Sequence, residues 1–155
     1  MAPVGPPRPA GWRIVFRLGD ARTVRGTFPL SRFIADASGS PFSHTGIVAI
    51  EDGTAVVYDC SSAGVQRLPF EVWILDCVGP LGVKRIKPGY RGHIPGVLDY
   101  CRSNYEQQVP FDFAFRPDDE ALYCLEMTEK AFRSQGLTLS QPVPIGNWEH
   151  LTKAC

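Results

Sequence analysis

The sequence predicts an α+β domain in which an antiparallel β-sheet or half-barrel packs against helices. Three observations carry this expectation. Segments rich in β-forming residues cluster in the first half of the chain, and segments with helical spacing follow near residues 95–105 and 124–135. Strands and helices alternate too sparsely for a doubly wound parallel sheet. The chain has 155 residues, 44% of them apolar, which suffices for one well-buried core without covalent staples.

Residues 1–10 hold four prolines and read as a flexible, extended tail ahead of one domain over residues 11–155. The tail lacks the apolar stretch of a secretory signal peptide, so the expectation is a cytoplasmic protein, or one delivered by another route. Residues 13–18 suit a first strand, closed by the turn pair Gly19-Asp20. Residues 31–41 suit a short helix or loop. Residues 44–51 form the clearest strand, Asp52-Gly53 is the strongest short hairpin signal, and residues 54–59 make the return strand. Residues 65–68 and 83–87 add further strands, with one helical turn at 71–76.

Pro95 fits the first turn of a helix on which Ile94, Leu98, Cys101 and Tyr105 share one face. A loop at 109–112 and an acidic run at 118–120 follow. A second helix runs from about Cys124 to Gln135, with Gly136 as its stop, and Glu126 lies four residues before Lys130 in the favourable order. The stretch from 137 to 155, with Pro142 and Pro144, is expected to pack as loop or edge strand.

Charge and cysteine usage narrow the function. Sixteen basic residues balance sixteen acidic ones, so there is no electrostatic footprint for nucleic acid and no polybasic membrane patch. No apolar run approaches the ~18 residues of a spanning helix. The five cysteines, 60, 77, 101, 124 and 155, are odd in number and scattered, and no Cys-x-x-Cys pair occurs. Reduced thiols are expected, with no disulfide framework, no metal and no organic cofactor.

Cys124 is placed where an acidic loop gives way to a helix. In a first helical turn, free backbone N–H groups and the helix dipole stabilise a thiolate, and the same groups can hold an oxyanion. The alternative is a small buried hydrophobe, the reading kept for Cys60, Cys77, Cys101 and Cys155. Of the three histidines, His93 and His150 read as surface residues, whereas His44 opens the clearest strand. A two-residue Asp52-Gly53 loop pairs Glu51 with Thr54, Val48 with Val57, Gly46 with Asp59 and His44 with Ser61. Period-two alternation then sets His44, Gly46, Asp59 and Ser61 on one face, with Asp59 diagonal to His44 and Gly46 leaving it room. Such a carboxylate can fix an imidazole tautomer. A three-residue loop would turn Asp59 to the other face, and a solvated or turn-forming Asp59 is the alternative.

The segments Gly11–Gly19, Phe42-Ser-His-Thr-Gly-Ile-Val48, Val57-Tyr-Asp59, Pro110-Phe-Asp-Phe113 and Leu122-Tyr-Cys-Leu-Glu126 together resemble the YiiX/YebB-like branch of the NlpC-type cysteine peptidase superfamily. The resemblance spans about residues 11–135 and implies a circularly permuted papain-like fold, with the histidine strand first and the cysteine helix last. It implies a triad of Cys124, His44 and Asp59 and supporting or substrate-binding roles for Tyr123 and Glu126; Asp112 matches the pattern too, with a loop-fixing role as the equal alternative. Three positions depart from the pattern: Asp59 where relatives often carry Glu, Trp12 where an acid is common, and Leu125 where Ser or Thr is common. The implied activity is thioester-forming hydrolysis of peptide-like amides, cell-wall peptides included. Lipid acyl hydrolysis or transfer, as in lecithin:retinol acyltransferase, is one alternative, and a non-catalytic binding module is another.

Overall fold

The computed structural model describes residues 13–21, 27–113 and 120–141. The proline-rich tail, Trp12, His150, Cys155 and most of the acidic run lie outside them. Five strands form one sheet: β1 (Arg13–Arg17), β2 (His44–Glu51), β3 (Thr54–Ser61), β4 (Gly64–Pro69) and β5 (Leu81–Arg85). Their order is β4-β3-β2-β1-β5, and every neighbouring pair is antiparallel. Four helices accompany it: α1 (Leu30–Ser38), α2 (Phe70–Trp73), α3 (Ile94–Glu106) and α4 (Cys124–Arg133).

The β2–β3 hairpin follows from its turn. Asp52 and Gly53 both adopt positive φ, 48° and 79°, the geometry of a two-residue turn that matches strand twist. The ladder then runs from Glu51↔Thr54 through Val48↔Val57 to Gly46↔Asp59. It ends there, so the expected His44–Ser61 pair does not form. His44 instead pairs with Arg17 of β1, and Ser61 with Gly64 of β4.

Alternation gives the sheet two unlike faces. One carries Ile14, Ile47, Ala49, Val56, Tyr58 and Cys60 against Val97, Leu98 and Cys101 of α3 and Met127, Ala131 and Phe132 of α4. The other carries a smaller core of Val15, Val48, Val57 and Trp73, the last supplied by α2. Central β2 is therefore buried from Thr45 to Ala49, and a strand covered on both sides reads as a continuous apolar run.

The structure refines four expectations. On α3, Val97 joins Ile94, Leu98 and Cys101 in the core, while Tyr105 sits 41% exposed at the rim with its ring edge toward Tyr58. At 100° per residue position 105 stays on the buried stripe, and its exposure goes with its place in the last turn of the helix. The last strand lies at Leu81–Arg85 rather than 83–87, in register with β1. The turn near 71–76 is an α-helical turn that tightens into a 3₁₀ turn at Ile74–Asp76. His93 is half-buried beside Tyr90. No helix among the described residues is long and apolar enough to cross a membrane.

Candidate functional site

The hairpin brings His44 and Asp59 together. Gly46 lies directly opposite Asp59, and a Cβ there would sit 2.5 Å from Val57 Cγ1 and 3.4 Å from Asp59 Cβ. A side chain at that position would collide with Val57 before it touched the acid. His44 Nε2 lies 2.6 Å from Asp59 Oδ2. The carboxylate is almost fully buried, and the imidazole is 13% exposed at its open edge.

The sulfur arrives from the other side. Cys124 is the first residue of α4, and Tyr123 precedes it with extended backbone. Glu126 Oε2 accepts the Tyr123 N–H at 3.4 Å, and Lys130 braces Glu126 at 2.9 Å. The expected start of the helix is thus held by the predicted Glu126–Lys130 pair. At the other end, Gly136 adopts φ 74° just past the last turn, as a stop residue should. Half-buried Cys124 Sγ lies 4.0 Å from the Ser43 carbonyl oxygen. It also accepts from the Thr45 backbone N–H and is in hydrogen-bonding contact with the His44 side chain. With Nε2 committed to Asp59, Nδ1 is the ring nitrogen that addresses the sulfur.

The electrostatics of the two groups move in opposite directions. Burial would lower the His44 ring, but the Cys124 charge and the hydrogen bonds to Asp59 and Cys124 outweigh it, and the ring is pushed up from 6.5 to about 9. Burial would raise the Cys124 thiol, but the His44 charge, its hydrogen bond and the Thr45 N–H bring it below its ordinary 9.0. Both shifts favour the charged forms, thiolate on Cys124 and imidazolium on His44. Cys60 and Cys101 stand in contrast: burial pushes both up to about 12. Cys60 donates its thiol to the Leu122 carbonyl at 3.0 Å, and the described cysteines are unbridged.

The remaining sequence candidates sit around this centre. Asp112 is buried, and its N–H donates to the Leu122 carbonyl at 2.9 Å, bracing the segment that leads into Cys124. Tyr123 is half-buried, and Glu126 serves the helix start.

Three neighbours were not foreseen. Trp73 is fully buried and donates its indole N–H to Asp59 Oδ2 at 2.7 Å, with its ring stacked 6.1 Å from that of His44. Arg17, buried at 6% exposure, sets its guanidinium 4.2 Å from the centre of the Trp73 ring and donates to the Trp73 carbonyl. Ser43 Oγ accepts the Gly19 N–H at 3.1 Å, tying the start of β2 to the end of β1. Arg17 had a readable signal, because a charged residue sharing the inward face of a strand with Val15 must find partners. No spacing rule marks Trp73.

Comparison with known proteins bears on the fold and the family. Among solved structures, the fold is similar to the crystal structure of the metalloprotein YiiX from Escherichia coli O157:H7, with a TM-score of 0.77 and 19% identity. That match covers 92% of this chain and 78% of that one. Among the described residues here, no group of three or more His, Cys, Asp or Glu side chains is placed to hold a metal ion. No curated protein matches. Residues 19–150 match the model of the permuted papain-like amidase enzymes of the YaeF/YiiX type. With most of its length matched and a mixed helix and antiparallel-sheet fold to go with it, the chain belongs to the C92 family of permuted papain-like amidases.

Proposed function

We propose that this protein is a cysteine amidase that cleaves peptide-like amides through Cys124, His44 and Asp59. One observation carries the reading: His44 Nε2 lies 2.6 Å from the buried Asp59 carboxylate, and the neighbouring Cys124 thiol is brought below its ordinary value while the ring is pushed up to about 9. The Cys124 thiolate attacks the substrate carbonyl carbon, forming a C–S bond and a tetrahedral oxyanion. Free N–H groups of the first turn of α4, that of Cys124 among them, face the developing charge. The His44 imidazolium gives its proton to the departing amine as the C–N bond breaks. The neutral ring then takes a proton from water, and the hydroxide equivalent cleaves the thioester. Asp59 holds the ring orientation and balances its charge throughout.

A lipid acyl substrate is the second reading. Leu125, next to the sulfur in sequence, is 51% exposed, and an apolar neighbour suits an acyl chain. Assays on muropeptides and on phospholipids, run side by side, separate the two. Whichever substrate turns over, Cys124→Ala is expected to remove activity by roughly 10³-fold or more. Mass spectrometry of the wild type should trap an acyl group on Cys124. Unchanged turnover in Cys124→Ala would overturn Cys124 as the nucleophile, and a wild type that turns over neither substrate yet binds as Cys124→Ala does would be a binding module.

A further inference from the structure

We infer that Trp73, clamped by Arg17, is a positioning residue that fixes the Asp59 carboxylate against His44 and thereby holds the imidazole in line with Cys124. The inference rests on the triad reading and goes beyond it. Asp59 receives both of its donors on a single oxygen, His44 Nε2 at 2.6 Å and Trp73 Nε1 at 2.7 Å. Its other oxygen, Oδ1, is buried and takes no hydrogen bond among the described residues. His44 by itself would leave the carboxylate free to turn about its Cβ–Cγ bond. A second donor fixed on the same oxygen removes that freedom, provided the donor itself cannot move.

Trp73 cannot move, and Arg17 is the reason. The indole is wholly buried at the end of a single helical turn, a poor anchor on its own. Arg17 holds it twice, through the ring face at 4.2 Å and through its own carbonyl oxygen. Arg17 in turn is held by Asp76 at 3.6 Å on the following 3₁₀ turn. The β1–β2 register places Arg17 opposite His44, so the clamp and the ring it serves sit side by side. The guanidinium also lies within the field of Asp59 and Cys124, adding a buried positive charge behind the carboxylate.

The inference fixes a sign. Deleting the indole N–H makes Asp59 a stronger acceptor, so an indole acting only as a polar neighbour would, when lost, strengthen the imidazolium and the thiolate. An indole acting as a positioner would, when lost, weaken both. The experiment is iodoacetamide alkylation of the full chain across pH, read by mass spectrometry at Cys124. Trp73→Phe keeps the ring and is expected to raise the pH midpoint, slowing alkylation on the acid side on the order of tenfold, about one lost hydrogen bond to a charged group. In the Asp59→Asn background, Trp73→Phe should change nothing further. A folded Trp73→Phe whose midpoint is unchanged or lower overturns the inference. Should Trp73→Phe fail to fold, Arg17→Lys keeps the charge and loses the fork. It is expected to raise the midpoint by less, and an unmoved midpoint again overturns the inference. His44→Ala is the control that keeps the two failures apart. If it leaves the midpoint in place, the triad reading falls and takes this inference with it; if it raises the midpoint while the other variants do not, only the inference falls.

Discussion

His44 is held by Asp59 through Nε2 and lies in the field of Cys124, and its titration should report both. NMR of the ring is expected to show a midpoint near 9, and Cys124→Ala should bring it down, because the thiolate is the largest influence raising it. Turnover should therefore fall as pH climbs through about 9, where the imidazolium loses the proton it owes the leaving group. Stability follows a different curve. The His44 share is full below 6.5 and lost as pH rises through about 9. The Cys124 share is full above its ordinary 9.0 and lost as pH falls through its lowered value. Where the two windows overlap below 9.0 the slopes oppose each other, because folding moves a proton from sulfur toward imidazole, and the Cys124 share declines on acidification through its lowered value. Urea titrations of wild type against Cys124→Ala should show a difference that shrinks on the acid side of that value. Reactivity toward iodoacetamide should likewise rank Cys124 first, with Cys60 and Cys101 silent until unfolding.

Among the elements, the β2–β3 hairpin was the most legible in sequence, and it carries half of the candidate site. Asp52-Gly53 determined loop length, loop length determined register, and register put Asp59 on the face of His44. Gly46→Ala tests this chain of cause. Its new methyl would meet Val57 Cγ1 at 2.5 Å and the Tyr58 carbonyl at 3.1 Å, on buried strands with no room to yield. A loss of about 1–3 kcal/mol in chemical denaturation is expected as Val57 is forced to shift. Helix α4 was legible for similar local reasons: Glu126 at its start, Lys130 four residues on, Gly136 past its end. The short α2 turn was not. Four residues carry too little periodicity to specify a face, and what places Trp73 is a buried arginine 56 residues earlier in the chain.

At the scale of the whole molecule, the candidate site lies where the two faces of the sheet meet. Helix α4 packs on one face and α2 on the other, and the sulfur and the indole approach His44 from those opposite sides. Strand alternation and helix signals, which are local, supplied the mixed fold class, and the resemblance to the YiiX/YebB-like branch supplied the grouping of Cys124, His44 and Asp59. The sequence was silent on Arg17 and Trp73, because which side chain fills the space behind a buried carboxylate is settled by tertiary packing.

The spacing along the chain has a consequence for the order of assembly. His44 and Asp59 are 15 residues apart on one hairpin, whereas Cys124 lies 81 residues from the Ser43 carbonyl it ends beside. Short loops close before long ones, so the imidazole can meet its carboxylate while the distant helix is still unattached. Until that helix docks, its thiol is an ordinary one, mostly protonated and slow to react. A nascent or partly unfolded copy is thereby chemically quiet, and reactivity switches on with the last long-range contact.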